Sequence, residues 1–254
     1  MDGQLHDDLV GIQDEVRRHF GWEHEHDARS AVDLRDACEA HPDAEAFAWS
    51  RKARFATLTH LKDLVTTAKL VVLVGAAALR EEVARSWPDG TVFVAADGAV
   101  GACLGLVTPV CVVTDLDGGE HLTAAVEAGV PLVVHAHGDN RTTWERLLAH
   151  WTSTPPRMVL THQSRNPLEG MVNPGGFTDG DRAACLVRWL GVENSNVVYL
   201  GFSTERVGPW SGVTNPERKL EKLRWMAKVL DMLSPAWREK VSEHGTQKEN
   251  ETQA

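Results

Sequence analysis

The sequence predicts an α/β fold: a largely parallel, doubly wound sheet with an N-terminal helical segment and C-terminal helices. Short apolar, β-branched runs predict buried strands at residues 70–74, 91–95, 110–114, 131–134, 158–161 and 197–200. Helix-like stretches lie between them, at residues 76–86, 99–106, 120–128, 142–151 and 180–190. This alternation is typical of parallel sheets that carry helices on both faces.

Helical patterns flank the strand-rich region on both sides. Apolar residues recur at spacings of three and four between residues 5 and 68, which predicts two or three helices. The amphipathic stretch 216–233 predicts a further helix. We therefore expect an N-terminal helical segment at 1–68, an α/β catalytic domain at 69–211, C-terminal helices at 212–241 and a disordered tail at 242–254. The N-terminal helices should pack on the core or contact a second copy in a homo-oligomer.

Composition excludes several classes of partner. The formal charge is −10, with 36 acidic and 26 basic residues, so nucleic acid and anionic membrane surfaces should be repelled. The four cysteines are widely spaced, which favours reduced, buried thiols. No apolar run approaches the ~20 residues that span a bilayer, and the polar N-terminus does not resemble an export signal. We expect a cytoplasmic protein.

Acidic residues follow the predicted strands. Asp97 comes after the second, Asp115 and Asp117 after the third, and Asp139 after the fourth. Ligands of open parallel sheets bind at the carboxyl ends of the strands, and so many carboxylates at one edge repel one another unless a cation lies among them. Oxygen ligands favour Mg²⁺. The alternative is that Asp115 or Asp117 caps a helix or closes a turn before Gly118.

Two histidines near this edge allow a second interpretation. His135 and His137 form an HxH pair that could begin a zinc site, with His121 and His162 as further ligands. An Asp-dominated site selects a hard cation instead. Hydrogen bonding to phosphate or to metal-bound water, or a structural role, is the other interpretation of the pair.

A glycine-rich segment at 173–183 leads into a predicted helix. Paired glycines allow left-handed backbone, and a helix N-terminus binds anions readily. The alternative is a well-capped helix start, since Thr178 and Asp181 have capping-box spacing. The turn at 75–79 lacks the Lys-Ser/Thr pair of a P-loop.

Four motifs in order, at 95–99, 114–118, 135–140 and 175–183, resemble the archaeal 6-hydroxymethyl-7,8-dihydropterin pyrophosphokinase family. The resemblance runs from about residue 70 to 211, and the family is similar in fold to thiamine pyrophosphokinases. It implies catalytic roles for Asp97, Asp115, Asp117 and Asp139, with Mg²⁺ held by the last three. It also implies contacts to ATP and pterin by Gly98, Ala99, Thr114, His137, Asn140, Gly175, Gly176, Thr178, Asp179, Asp181 and Arg182.

The resemblance predicts the reaction. The pterin hydroxyl would attack the β-phosphorus of Mg·ATP in line and release AMP, in folate or methanopterin synthesis. One departure concerns the turn at 75–79, where the family has a Gly-Ser-Gly-Pro-Ser-Leu-like sequence and this chain has alanines, so hydroxyl contacts are lost there. The alternatives are a thiamine-type diphosphokinase, a nucleotide-sugar transferase on the same acidic edge, or a non-catalytic nucleotide- or pterin-binding module.

Overall fold

The computed structural model describes residues 1–138, 140–212 and 214–242. Its centre is a six-stranded parallel sheet with the strand order β5-β4-β3-β2-β1-β6. The strands are β1 (Leu70–Val74), β2 (Thr91–Ala96), β3 (Cys111–Thr114), β4 (Leu132–His135), β5 (Met158–Thr161) and β6 (Val197–Leu200).

Helices surround the sheet and precede and follow it in the chain. They are α1 (Gly3–Phe20), α2 (His24–Glu39), α3 (Arg51–Thr67), α4 (Arg80–Ala84), α5 (Val100–Cys103), α6 (Gly119–Glu127), α7 (Arg141–His150), α8 (Asp179–Leu190), α9 (Pro216–Leu233) and α10 (Trp237–Ser242). Short 3-10 turns lie at Asp97–Ala99 and Asn194–Asn196.

Both faces of the sheet are buried, which explains the nearly continuous apolar runs in the strands. Alternate residues of a strand face opposite sides. In β1, Val72 and Val74 pack with α2 and α4 to α7, whereas Val71 and Leu73 pack with α1, α3 and α8 to α10. The predicted α/β, doubly wound class is therefore confirmed.

The order of the strands fixes where a ligand can enter. From β1 to β5 the chain adds each strand on the same side, and β6 then returns to the other side of β1. The connection from β5 to α8 crosses the carboxyl edge of the sheet, where Gly176 N donates to Leu9 O of α1 at 3.3 Å. The amino-terminal helix thus reaches the edge where ligands of such sheets bind.

Most predicted elements agree with the structure, and two helices are shorter. The strand predictions are confirmed within one residue at either end, the N-terminal segment forms three helices, and α9 has the predicted bounds. The helix predicted at 76–86 shrinks to α4 because residues 75–79 form a turn packed against Gly201 and Gly208, where no Cβ would fit. The helix predicted at 99–106 shrinks to α5, which follows the 3-10 turn at Asp97–Ala99 and ends before Leu104, where the backbone leaves the helical region (φ −55°, ψ 127°).

Other expectations concern the thiols, the membrane and the tail. All four cysteines are buried and free. No helix in the described part of the chain is both long and apolar enough to cross a bilayer. The predicted disordered tail, apart from Ser242 itself, lies outside the described residues. The domain boundaries at 68 and 211 stay predictions.

Candidate active site

Three carboxylates meet at the carboxyl edge of the sheet. Asp97 follows β2, and Asp115 and Asp117 follow β3; one ligand oxygen from each lies within 4.8 Å of the others. Among the described residues, these three side chains form the one group of three or more His, Cys, Asp or Glu residues that lie close enough together to hold a metal ion. The side chain of Asp139 lies outside the described residues.

Thr114, the last residue of β3, ties this cluster together. Its buried hydroxyl donates to Asp97 Oδ1 and accepts from Leu116 N at 2.7 Å. Leu116 has a left-handed backbone (φ 79°), as does Asp97 (φ 45°). Asp115 and Asp117 therefore converge through a left-handed turn. Such conformations in non-glycine residues are costly and concentrate at functional sites.

Burial and mutual repulsion raise the pKa of three carboxylates at this edge. Burial raises the pKa of Asp97 well above its usual value, and the charges of Asp179, Asp117 and Asp115 raise it further. The pKa of Asp179, the first residue of α8, is also raised, because Asp179 is half-buried and faces the charges of Asp115 and Asp117. Restricted solvation and the charge of Asp115 raise the pKa of Asp117. A cation at this position would offset the repulsion.

Asp115 differs from the other carboxylates of the cluster in the direction of its pKa shift. Burial alone would raise its pKa, but the hydrogen bond and charge of His137 outweigh burial, so the pKa is lowered. His137 Nε2 lies 3.2 Å from Asp115 Oδ2. Asp115 Oδ1 is buried and has no hydrogen-bond partner in the described part of the chain. This oxygen and its neighbours on Asp97 and Asp117 fit a hard cation such as Mg²⁺.

Asn140 holds the loop after β4 against this cluster. Its side-chain nitrogen donates to Asp115 O at 2.9 Å and to His135 O at 2.8 Å, and its Oδ1 accepts from His137 N at 3.1 Å. The side chain is buried. Asn140 therefore positions Asp115 and His137 through the backbone.

The glycine-rich segment closes over the same edge. Gly175 and Gly176 are left-handed (φ 89° and 90°), and a Cβ on Gly175 would meet Leu9 of α1 at 2.8 Å. The fully buried Asp181 accepts from Phe177 N and from the backbone and hydroxyl of Thr178. Thr178 and Asp181 thus form the capping box of α8, and the turn is built for close approach to α1.

Arg182 begins a buried polar wall. Its Nε donates to Phe177 O at 3.1 Å and its Nη2 to Gln163 Oε1 at 2.8 Å. His135 Nε2 lies 3.1 Å from the same oxygen. Burial and the charge of Arg182 hold the pKa of His135 well below its usual value, so the imidazole is neutral.

Two cavities meet at the carboxylates. The narrow cavity, about 60 Å³, lies between the ends of β1, β2 and β6 and is lined by Gly75, Asp97, Gly98, Phe202, Arg206 and Trp210 among others. The larger cavity, about 460 Å³, lies over the ends of β3 to β5 and is lined by Trp22, Asp27, Asp115, His135, Gln163 and Arg182 among others. Both are lined by Asp117, Thr178, Asp179 and Lys219.

The turn at 75–79 in the narrow cavity bonds mainly to the protein itself. Gly75 N donates to Leu200 O at 2.8 Å, and Ala77 N to Gly201 O at 3.0 Å. The backbone N–H groups of residues 78 and 79 donate within the turn and to α4. Few N–H groups of this turn are left for a ligand, since the alanines bring no hydroxyl groups.

Comparison with known proteins identifies the family. The chain is 36% identical over 183 residues to a 6-hydroxymethyl-7,8-dihydropterin pyrophosphokinase of Pyrococcus furiosus, covering 68% of this chain and 75% of the relative. It is 33% identical over 181 residues to the protein of that name from Methanothermobacter thermautotrophicus, covering 66% and 75%. The chain belongs to this family. A third member, from Methanocaldococcus jannaschii, is 26% identical over 178 residues, covering 67% and 69%. No protein-family model matches the chain.

The family resemblance inferred from the motifs is thereby confirmed, and the structure brings most of the motif residues to one edge. Gly98 lines the narrow cavity, whereas Ala99 is buried beneath it. The histidine pair does not form a second metal group among the described residues: His135 bonds to Gln163 and Thr161, and His137 to Asp115.

Several site residues carried no signal in the sequence. Trp22 and Asp27 come from the junction of α1 and α2, and Lys219 and Lys222 from α9. Basic residues beside an acidic cluster suit phosphates, but in the sequence these lysines read as the exposed face of an amphipathic helix. The N-terminal helices, expected only to pack or to contact a second copy, also line the larger cavity.

Proposed function

We propose that this chain transfers the diphosphoryl group of ATP to the hydroxymethyl oxygen of 6-hydroxymethyl-7,8-dihydropterin. The observation that carries the proposal is the carboxylate cluster between two cavities, in a chain whose relatives are named pyrophosphokinases of this pterin. Two cavities that meet at one cluster can bring a phosphate chain and an acceptor hydroxyl to the same metal site, which a two-substrate transfer needs.

The reaction balances without an oxidant or reductant. The pterin oxygen forms a bond to the β-phosphorus, the bond from that phosphorus to the bridging α–β oxygen breaks, and AMP leaves with that oxygen. The hydroxyl proton is released. The sequence has no P-loop lysine to hold the β and γ oxygens of ATP, which also favours attack at the β-phosphorus over attack at the γ-phosphorus.

The chain's own residues hold and orient the reactants. Asp115 and Asp117 would hold Mg²⁺, with Asp97 beside them and Asp139 as a further ligand. When bound, the ion supplies charge neutralisation to the phosphates. Lys219 and Arg206 line the wall where the phosphate chain would pass. Location in the cytoplasm, assembly into a homo-oligomer, and use in folate or methanopterin synthesis stay predictions.

The decisive experiment is product analysis. The purified chain is incubated with ATP, Mg²⁺ and either the dihydropterin alcohol or thiamine, and products are identified by mass spectrometry. We expect equal amounts of AMP and pterin diphosphate with the pterin, and none with thiamine. ADP with a pterin monophosphate would overturn the mechanism, and binding without turnover would support the non-catalytic alternative.

A further inference from the structure

The larger cavity has a wall of buried hydrogen-bond donors. Arg182 is only 3% exposed and lines this cavity, and its Nη1 is buried without a hydrogen-bond partner among the described residues. Leaving a guanidinium donor unpaired in a protein interior costs free energy. A ligand that brings an acceptor to this wall would remove that cost.

The neighbouring side chains fix the polarity of this wall. Gln163 Oε1 accepts from Arg182 Nη2, so the amide nitrogen of Gln163 is oriented as a donor. Because that oxygen also faces His135 Nε2, the neutral imidazole carries its proton on Nε2 and its Nδ1 faces the Thr161 hydroxyl at 3.3 Å. The wall therefore offers donors rather than acceptors.

A buried carboxylate lines the same cavity. Asp27 is 7% exposed; its Oδ1 accepts from Gly138 N and its Oδ2 from Arg17 Nε, both at 2.9 Å. A carboxylate has about four lone-pair positions, so each oxygen can still accept from a ligand. Asp27 is near enough to Arg182 for its charge to raise the pKa of that residue against the lowering by burial.

Aromatic rings form the third side of this cavity. Trp22 and Phe177 line it with their ring centroids 6.1 Å apart, and Phe20 stacks on Trp22 at 4.8 Å. All three rings are partly buried. Half-buried rings at the mouth of a cavity suit a planar heterocycle, which stacks on their faces.

We propose that the larger cavity is the acceptor site, in which Arg182 binds the O4/N5 edge of the pterin and Asp27 binds its 2-amino edge. The proposal rests on the proposed function for the identity of the acceptor. In a 7,8-dihydropterin, O4 and N5 are both acceptors, like the O6/N7 pair of guanine that arginine reads. The 2-amino group and N3–H are donors, which a carboxylate accepts.

The same chemistry disfavours the adenine of ATP in this cavity. The corresponding edge of adenine has one acceptor, N7, beside a donor, the 6-amino group. That amino group would face the donors of Arg182 and Gln163. The donor nucleotide is thus left to the opposite side of the carboxylates, and the N-terminal helices select the acceptor through Trp22 and Asp27.

The test measures binding of the pterin alcohol and of its 2-desamino analogue by calorimetry, without ATP. The wild-type chain should bind the pterin about tenfold to a hundredfold more tightly than the analogue, because the analogue lacks the 2-amino group that would donate to Asp27. Asp27→Asn should weaken pterin binding by a similar factor and abolish the discrimination. Asp33→Asn is the matched control: it lies on α2, pairs with Arg141 and lines neither cavity.

Arg182→Lys and Trp22→Leu provide independent arms should Asp27→Asn fold poorly. Arg182→Lys keeps a charge but loses the planar donors, and should weaken pterin binding while ATP binding stays within about twofold. Trp22→Leu should do the same, with Trp87→Leu, at the amino end of β2, as the control indole.

The outcomes separate the acceptor site from the proposed function. If wild-type protein makes the pterin diphosphate but the three site variants bind pterin normally, the cavity assignment is overturned and the function stands. If the variants lose pterin binding but wild-type protein transfers nothing to pterin, the cavity assignment stands and the function is overturned. If wild-type protein neither binds pterin nor forms its diphosphate, both are overturned.

Discussion

Asp117→Asn should make the metal-free protein more stable and the enzyme much slower. Asp117 is exposed and its charge raises the pKa of both Asp97 and Asp179, so it repels its neighbours when no cation is present. Unit charges 4.8 Å apart, the span of the cluster, repel by ~1 kcal/mol at the dielectric of water. The water value applies because the group is exposed.

That repulsion sets the expected size of the effect. Removing ~1 kcal/mol should raise Tm in EDTA by about 2–4 °C for a chain of this length. Turnover should fall by about 10²–10³-fold, since a metal ion contributes several kcal/mol to such transfers. Thermal unfolding in EDTA and in Mg²⁺ with ATP, together with kcat, measures both effects.

Glu120→Gln is the matched control. Glu120 is exposed on α6, three residues away, and the substitution removes the same charge outside the cluster. It should leave turnover unchanged and raise Tm less. A lower Tm for Asp117→Asn in EDTA, or wild-type turnover in Mg²⁺, would refute the assignment of Asp117 to a repulsive metal site.

Three further predictions concern the surroundings of the site. Burial lowers the pKa of His162 from 6.5 to about 4, so the unfolded chain binds a proton at a higher pH than the folded chain and the free energy of unfolding falls as pH drops from 6.5 to 4. His162→Asn should remove at most about 3 kcal/mol of this pH-dependent loss, as measured by urea unfolding at each pH. Gly201→Ala, whose Cβ would lie 1.9 Å from Ala78 N, should lower Tm far more than Gly105→Ala, which is equally left-handed but unobstructed. Thr114→Val should lower the free energy of unfolding in urea by about 1–3 kcal/mol and also slow turnover, because it leaves the N–H of Leu116 without an acceptor and removes the hydrogen bond to Asp97.

The sheet was predictable because its strands are buried on both faces. Each run such as 70–74 is apolar throughout, whereas the intervening helices carry apolar residues at spacings of three and four. The turn at 75–79 was not predictable as a turn. Its three alanines favour a helix locally, and the contacts that prevent one come from Gly201 and Gly208, more than a hundred residues away.

The acidic half of the site was predictable for a related reason. In a parallel sheet the carboxyl ends of successive strands share one edge, so Asp97, Asp115 and Asp117 had to gather there. No such rule predicts which residues line the larger cavity. Asp27 and Trp22 lie before the first strand, and only the docking of α1 under the 175–176 turn brings them over β4.

The carboxylates are held in place by contacts that do not depend on a bound ion. Thr114 fixes Asp97, Asn140 fixes the backbone of Asp115, and left-handed residues aim both strand ends inward. These contacts maintain a cluster whose charges repel one another, so the fold carries an electrostatic cost that binding of a cation and phosphates would offset. A site organised in advance loses little free energy to rearrangement when its ligands arrive. The unpaired donor of Arg182 in the larger cavity is also held in position before a ligand binds. We therefore expect the edge of the pterin to be recognised by groups that are already in place.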